Sequence, residues 1–472
     1  MEASSVPVLN RDCLIHVFGL LEANDLRRAS QVNEAWNDAA ETPWLWRRLC
    51  LERWIFCNRS NVDDGINSWK KYYFHRSKIE EHMVSGCGSA DYVCTTFRGH
   101  SGIITALQYL SDADKQFDTT SWTSVLCTTS TDCTLRSWSI QEGKQLWSTS
   151  VQREPLEKLL TVPEQGIVIT ADSKGNIKVW NGQTGEELAF FATSCTVCNL
   201  RTYSMDNQHY LIVGTSEGAL ITLTIPNLSQ ITRLSLFDAK PVDFLLISPD
   251  HQWIIGGTKS NDFAKVLQAK CLMDCLDEDR LATDSLKIDS CFTACWLPKA
   301  PSRVVIMANT NAMVFQKTII TLDITRQKRK HKLQIEGEQV GNFTYEETGW
   351  NDILLEGYGN NTIIIVHSTE MKLFTIDGVH LASFHDHKNT ITGISVDPFR
   401  VVTSSMDLSL RVYTWKRQPN KGLSLESNYH LLGGSHMRSR GFTGVVCDYV
   451  SIVGAVQTND GKDVLKAYNF NV

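Results

Sequence analysis

The N-terminal region places apolar side chains at the spacing of short α-helices, in two faces separated by the polar residues 22–25. The first face consists of Leu14, Val17, Phe18 and Leu21, and the second of Leu26, Ala29, Val32, Trp36 and Ala40. Thr42 and Pro43 predict a further helix start, because a capping hydroxyl followed by proline favours helix initiation. So few short helices cannot form a self-sufficient core. They either pack on the rest of the chain or bury their apolar faces on a partner.

A second apolar series lies between residues 67 and 83 and predicts a longer helix. Its members are Trp69, Tyr72, Arg76, Ile79 and Met83. The pattern ends at Gly86 and Gly88, because glycine residues interrupt helices. We therefore expect a stiff helical strut between two domains rather than a flexible linker.

From residue 92 onwards, short β-branched runs alternate with turn residues, which predicts strands. The runs recur about every 40–50 residues in groups of four, the periodicity of WD-repeat β-propellers. Residues 442–470 contain three such runs, and residues 92–97 form a spare strand before the first repeat. Pairing the spare strand with the last three would close the ring and remove its exposed edges. This count favours eight blades and leaves seven open.

The residues of the N-terminal helices resemble the F-box family in order and spacing. The matching positions include Leu45-Trp46-Arg47-Arg48-Leu49, and the Leu-Pro start of the family is Leu9-Asn10 here. In that family the apolar face docks on the small Skp adaptor, which in turn binds a cullin scaffold. The resemblance implies that the Skp-binding residues are Leu9, Leu14, Val17, Phe18, Leu21, Leu26, Val32, Trp36, Leu45, Trp46 and Leu49.

The strand region resembles the WD-repeat family at both ends and only weakly in residues 238–345. Gly99-His100 keeps a family dipeptide, whereas Trp138-Ser139 and Trp180-Asn181 stand where the family has Trp-Asp. The resemblance implies a mostly β protein with an all-α F-box (1–56), a helical linker (57–91) and a WD-repeat-type β-propeller of seven or eight blades (92–472). Within F-box/WD-repeat proteins, the chain is similar to a divergent mammalian group around member twelve.

Composition narrows the possible partners and compartments. The chain has 472 residues, 42% of them hydrophobic, and a net charge of -6, which argues against nucleic acid and anionic membranes as partners. Polar and charged residues interrupt the N-terminal apolar stretch, so we expect no signal peptide. No stretch has the length of a membrane span. We expect a cytoplasmic or nuclear protein.

Three motifs could indicate chemistry, and each has a simpler structural explanation. Cys271, Cys275, Cys291 and Cys295 have a spacing that resembles zinc sites, but the last two fit one face of a strand and the surrounding turns lack glycine and proline. Residues 214–218 match Gly-x-Ser-x-Gly, yet strands flank them on both sides, whereas a nucleophile elbow needs a following helix. The basic run 326–332 fits either a nuclear import signal or a solvated hairpin, and we favour the hairpin.

Two histidine-aspartate sets are predicted to be structural rather than catalytic. His100 with Asp132, and His387 with Asp407, occupy positions that in the WD-repeat family join a polar network with a Trp and a Ser or Thr inside one blade. A buried network of this kind stabilises the fold only when every member is hydrogen-bonded.

Family members that read phosphorylated targets carry several arginines around the central channel, just before the turn aspartate and near the start of the first strand. Here Thr131, Ala171 and Met406 precede the turn aspartates, and Thr105 and Gly393 occupy the first-strand positions. The basic residues nearest to comparable positions are Lys158, Arg201 and Lys259, and the alignment of Arg303 is ambiguous. We therefore predict recognition of an unphosphorylated target through shape and apolar contacts.

These features together imply a substrate-recognition adaptor of an SCF (Skp-cullin-F-box) ubiquitin ligase. The F-box would recruit Skp, and cullin through it, while the propeller binds a target protein of unknown identity. The alternative is a non-degradative WD-repeat scaffold that binds Skp without delivering a target. No motif supports an enzyme, a cofactor or a metal site, so we expect a non-catalytic subunit.

Overall fold

The computed structural model describes residues 9–54, 68–111, 124–260, 262–272, 284–311, 316–329, 332–345, 353–418, 422–435 and 437–471. The chain divides into two compact units. The helical unit comprises residues 1–92, 111–123 and 470–472, and the propeller unit comprises residues 93–110 and 124–469.

The helical unit contains the short helices that the apolar spacing predicts. They are α1 (Arg11–Phe18), α2 (Ala23–Ala29), α3 (Glu34–Ala40), α4 (Pro43–Arg53), α5 (Trp69–Ser85) and α6 (Gly88–Asp91). Helix α4 begins at Pro43 as predicted, but the Thr42 hydroxyl makes no capping hydrogen bond. Helix α3 has a side-chain cap, since the backbone N–H of Trp36 donates to the Asn33 side chain at 2.8 Å.

Helix α5 confirms the predicted long helix and its two ends. Ser68 caps its start by accepting a hydrogen bond from the backbone N–H of Lys71 at 3.3 Å. Gly86 ends it in the left-handed conformation at φ 57°, a position where glycine carries no steric cost. Helices α4 and α5 pack together, with the Trp46 ring 5.3 Å from that of Phe74.

The propeller unit is built from strands in eight four-stranded antiparallel sheets. The first strand is β1 (Val93–Phe97), and four complete sheets follow: β2–β5 (Ile104–Tyr109, Val125–Ser130, Leu135–Ser139, Lys144–Ser148), β6–β9 (Leu156–Val162, Ile167–Asp172, Asn176–Asn181, Glu187–Ala192), β10–β13 (Val197–Met205, Gln208–Thr215, Ala219–Thr224, Gln230–Ser235) and β14–β17 (Phe244–Ile247, Trp253–Gly257, Phe263–Gln268, Asp284–Asp289). The others are β18–β21 (Cys291–Leu297, Ala300–Asn311, Gln316–Arg329, Lys332–Tyr345), β22–β25 (Ile353–Tyr358, Thr362–His367, Glu370–Thr375, His380–Phe384), β26–β29 (Ile391–Val396, Arg400–Ser405, Ser409–Gln418, Gly422–Leu432) and β30–β32 (Ser439–Cys447, Ser451–Thr458, Val464–Asn469) with β1. We number these sheets as blades one to eight in this order.

The first strand of each blade forms the inner wall of the ring. Strands β2, β6, β10, β14, β18, β22, β26 and β30 each contact the next in this series, and β30 contacts β2. Apolar residues on both faces of the blades fill the space between neighbouring blades, as in the cluster of Ile169, Val179, Val213 and Ile221 between blades two and three. The ring therefore has eight blades, which decides between the predicted seven and eight.

The closure predicted from the two ends of the strand region is confirmed. Strand β1 pairs with β32 in antiparallel register from Val93 opposite Asn469 to Phe97 opposite Leu465. Blade eight has the order β1, β32, β31, β30, so the first strand of the ring completes the last sheet. This pairing covers a sheet edge that would otherwise lie free.

The motif explanations based on strands are also confirmed where the structure describes them. Residues 214–218 form the hairpin turn between β11 and β12, with Gly218 at φ 82°. The described residues of the basic run, 326–329 and 332, lie at the end of the paired strands β20 and β21, where Arg329 is opposite Lys332. Cys291 and Cys295 lie on strand β18 and are buried, and Cys275 lies outside the described residues.

None of the helices in the described ranges combines the length and apolar character that crossing a membrane would require.

Candidate functional site

The helical unit buries six of the eleven predicted Skp-binding residues in its own core. These residues are Leu14, Phe18, Leu26, Leu45, Trp46 and Leu49. The core also includes Trp54 and Trp69, and the indole N–H of Trp46 donates to the Ala40 carbonyl at 2.8 Å. Side chains enclosed in this way hold the helices together and cannot touch a partner directly. These six residues therefore position the surface residues of the helical unit.

The other five predicted residues are at or near the surface. Leu21 and Trp36 are half-buried against the core, where the Trp36 ring meets Phe18 at a centroid distance of 5.4 Å. Leu9, Val17 and Val32 are exposed. The prediction that the set contacts Skp stays a prediction, but the structure separates its members into core and surface residues.

Further large apolar side chains are exposed on the same helices, although the sequence analysis did not assign them to the site. Leu20 follows α1, and Trp44 and Leu51 lie on α4. Together with Val17 and Val32 they form what we call the exposed apolar set, with 46–84% of each residue exposed. Single exposed apolar residues are common on protein surfaces, whereas a contiguous group of them is typical of an interaction surface.

Arg48 fixes part of this surface. Its guanidinium donates hydrogen bonds to the backbone carbonyl oxygens of Gly19 and Leu21, the latter at 3.1 Å, and so ties α4 to the end of α1. A Cβ at Gly19 would lie 3.5 Å from the Trp44 ring, which places Leu20 and Trp44 in the same region. Trp44 and Leu51 also line a shallow cavity of about 260 Å³ with Arg47, Arg48 and Glu52. The region therefore offers apolar contacts bordered by charge.

In the propeller unit, the first histidine-aspartate set forms the predicted structural network. His100 Nδ1 lies 2.9 Å from Asp132 Oδ2, and His100 Nε2 lies 2.9 Å from Thr128 Oγ1. The Trp138 indole N–H donates to the same Thr128 oxygen at 2.8 Å. Burial opposes ionisation of Asp132, but hydrogen bonds from His100, Thr134 and a backbone N–H outweigh it and lower its pKa. Each member is satisfied within blade one.

The second set repeats this network in blade seven. His387 Nδ1 lies 3.0 Å from Asp407 Oδ2, and His387 Nε2 lies 2.8 Å from Thr403 Oγ1. Tyr413 takes the place of the tryptophan and is buried. Burial lowers the pKa of His387 even though the neighbouring Asp407 favours the charged imidazole. A neutral, enclosed histidine with both ring nitrogens engaged serves the fold, which supports the structural prediction.

Hydrogen bonds between neighbouring inner strands build the wall of the central channel. Thr105 Oγ1 donates to the Leu156 carbonyl at 2.6 Å, and Thr392 Oγ1 donates to the Phe442 carbonyl at 2.7 Å. Asn199 donates in the same way to the Val242 carbonyl at 2.7 Å. Each bond joins one blade to the next. Thr105 therefore stabilises the ring at its predicted first-strand position, and in blade seven the equivalent bond comes from Thr392, the residue before the predicted Gly393. Neither threonine supplies a cation.

The basic residues identified from the sequence do not form a cluster of arginines. Arg201 lies on inner strand β10 and faces the channel, where desolvation lowers its pKa and Glu356 of inner strand β22 opposes that change. Arg303 lies on β19 and is held by Asp323 in a two-pronged ion pair, with both N···O distances 2.7 Å. Lys158 lies on β6. Arg303 is therefore not free to bind a phosphate.

Among the residues that the structure describes, no group of three or more His, Cys, Asp or Glu side chains is arranged to hold a metal ion. Cys291 and Cys295, two of the four cysteines in the predicted set, lie within the apolar packing of blade five and its neighbours. Burial raises the pKa of Cys295, which keeps the thiol protonated. This state suits core packing rather than ligation.

Comparison with known proteins agrees with the two-unit architecture. Residues 11–52 match the F-box-like family, and residues 92–139 match the family of the WD domain, G-beta repeat. The chain is 29% identical to human F-box/WD repeat-containing protein 12, over 97% of this chain and 98% of the relative. It is 23% identical to F-box/WD repeat-containing protein 15 of Mus musculus, with the same coverage.

One solved structure has a fold similar to most of this chain. The computationally designed Ika8 protein superposes with a TM-score of 0.57 at 17% sequence identity and covers 79% of this chain and 98% of its own. At this identity the likeness concerns the fold alone. In its F-box-like helices, its WD repeat and its match to two relatives over 97% of its length, this chain is similar to F-box/WD-repeat proteins.

Proposed function

We propose that this chain is the substrate-recognition adaptor of an SCF ubiquitin ligase. The helical unit recruits the Skp adaptor, which brings the cullin, and the propeller binds the protein to be ubiquitinated. The F-box-like match and the F-box/WD-repeat relatives support this assignment.

The observation that carries the proposal is the division of apolar residues within the helical unit. Its core is already filled by Leu14, Phe18, Trp46 and their neighbours. The exposed apolar set, including Leu20 and Trp44, is therefore surplus to the fold. Burial of exposed leucine and tryptophan side chains against a partner stabilises the complex by about 25 cal/mol per Å² of apolar area.

The adaptor does no bond chemistry in this proposal. It holds a target lysine close to a charged ubiquitin-conjugating enzyme, so its contribution is effective concentration and orientation. A rigid platform suits this task. The closed eight-bladed ring supplies one, because every blade is hydrogen-bonded within itself and packed on two neighbours.

The proposal is tested by changing the surface while leaving the core intact. The double variant Leu20→Asp with Trp44→Asp should lose capture of purified Skp, because it places charge in an apolar contact. Interface residues that dominate binding cost about 2 kcal/mol or more each when truncated, which is about 30-fold in affinity. The thermal midpoint should change little, since both residues are exposed.

A matched control is Val151→Asp, which places the same charge at an exposed apolar residue of the propeller unit. It should leave Skp capture unchanged. Wild-type capture by the Leu20/Trp44 variant would contradict the proposed surface. Affinity capture under proteasome inhibition, followed by reconstituted ubiquitination of the captured protein, separates an adaptor from a scaffold that binds Skp without delivering a target.

A further inference from the structure

The outer strand of blade two differs from most sheet edges. Strand β9 (Glu187–Ala192) ends its sheet, so only β8 pairs with it. Its central residues, Leu188 to Phe191, are all apolar and include neither lysine nor proline. Proteins commonly place charges or proline on edge strands to prevent further pairing. Residues 188–192 of β9 contain no charged residue and no proline, and the pairing of β9 with β8 shifts register at Leu188.

The register shows which backbone groups of β9 face outward. The Thr193 N–H donates to the Gly175 carbonyl at 3.1 Å, so Thr193 points toward β8. Because antiparallel strands alternate inward and outward pairs of N–H and C=O groups, Phe191 and Ala189 also point inward. Phe190 and Ala192 therefore direct their backbone groups away from the sheet, whereas Leu188 lies at a register shift between the pairs Ala189–Val179 and Glu187–Trp180.

Two alternate residues of β9 carry exposed apolar side chains. Leu188 and Phe190 are 49% and 54% exposed, whereas Ala189 and Phe191 pack against the core between blades two and three. The Lys178 ammonium lies 5.8 Å from the Phe190 ring and 2.6 Å from Glu187, which neutralises one acid at the strand start. One edge thus combines free hydrogen-bonding groups with an apolar face.

Two of the other outer strands carry a basic residue. Strand β5 begins with Lys144, which pairs with Glu142 at 2.7 Å, and β13 carries Arg233 in its middle. Just before β9, Glu186 is exposed, and its carboxylate accepts a hydrogen bond from the Thr184 hydroxyl at 3.3 Å. The edge therefore favours a partner that is apolar along its length and basic at one end.

We propose that β9 is a docking edge for an extended segment of another protein, which adds as a fifth strand to blade two. The segment has apolar residues at alternate positions, facing Leu188 and Phe190, and a lysine or arginine beside Glu186. Backbone hydrogen bonds give such strand addition its affinity, and alternate side chains give it specificity. The site lies on the propeller alone, so it does not depend on Skp binding.

The test uses the full chain and a labelled peptide, Lys-Val-Thr-Val-Thr-Val, as the probe. Fluorescence anisotropy should give saturable binding, and hydrogen exchange should show new protection in residues 187–192. Phe190→Lys should weaken binding at least tenfold. Phe190→Pro should abolish the protection yet keep the fold, because the amide that it removes points outward and proline is tolerated at such edge positions.

The matched control is Leu381→Lys, which changes a similarly exposed leucine on β25, the outer strand of blade six. It should leave peptide binding unchanged. Equal weakening by Leu381→Lys, or no protection of residues 187–192, would overturn the proposal. Light scattering adds a separate check, because a wild-type dimer that Phe190→Lys dissolves would mean that the edge binds a second copy and not a foreign segment.

Discussion

Deletion of residues 464–472 should prevent the propeller from folding. Strand β32 is an interior strand of blade eight, paired with β31 on one side and β1 on the other. Its loss removes three buried side chains, Val464, Leu465 and Tyr468. Truncating one such side chain costs about 2–5 kcal/mol, so the sum is on the order of 10 kcal/mol. Domains of this kind are stable by only about 5–15 kcal/mol.

Thermal unfolding followed by tryptophan fluorescence measures this effect. Trp138 is a suitable reporter because its ring lies 5.6 Å from Phe97, the last residue of β1. The deletion should yield insoluble protein or a transition without cooperativity. Lys466→Ala, a half-buried change on the same strand, is the control and should unfold cooperatively close to wild type. A soluble, cooperatively unfolding deletion variant would show that β1 does not depend on β32.

Three further outcomes are expected. Leu14→Ala with Phe18→Ala should abolish Skp capture by unfolding the helical unit, visible as lost helical circular dichroism, because both residues are buried; capture with intact helicity would contradict this. His387→Gln should reduce the loss of thermal stability that accompanies a fall in pH below about 6.5. The pKa of His387 in the folded protein lies below its ordinary value, so the unfolded chain binds a proton more readily and low pH favours unfolding. Phosphatase treatment of an identified target should leave its affinity unchanged, and a loss above about tenfold, near 1.4 kcal/mol, would refute recognition without phosphate.

The sequence revealed the ends of the propeller better than its middle. Blades one and seven carry a histidine, a turn aspartate and a threonine whose hydrogen bonds require those residue types. Blades four and five form the same four-stranded sheets without that network. Their strands rely on alternating apolar residues such as Ile255 and Val304, which many β folds share. The sequence of residues 238–345 therefore predicted strands but did not identify WD repeats.

For the helical unit, the sequence identified the helices and their apolar positions but not the direction that each residue faces. A helix that packs on its own domain and one that packs on a partner have the same 3.6-residue period. Phe18 and Val17 are adjacent in the predicted face, yet Phe18 is buried and Val17 is exposed. Leu20 lies after the end of α1, outside any helical period. The core and surface residues become distinguishable once the helices are packed together, as Arg48 packs α4 against the end of α1.

Because β1 pairs with β32, the propeller cannot close until nearly the whole chain has been synthesised. The first strand of the ring emerges from the ribosome long before its partner, because nearly the whole propeller lies between them. At typical translation rates of about 5–20 residues per second, β1 waits on the order of 20–70 s without the neighbour that it needs. During that interval it is an unpaired strand in a growing array of blades. We expect the nascent chain to need a chaperone until the last strand is made, and a ribosome stalled within blade eight to leave an aggregation-prone ring.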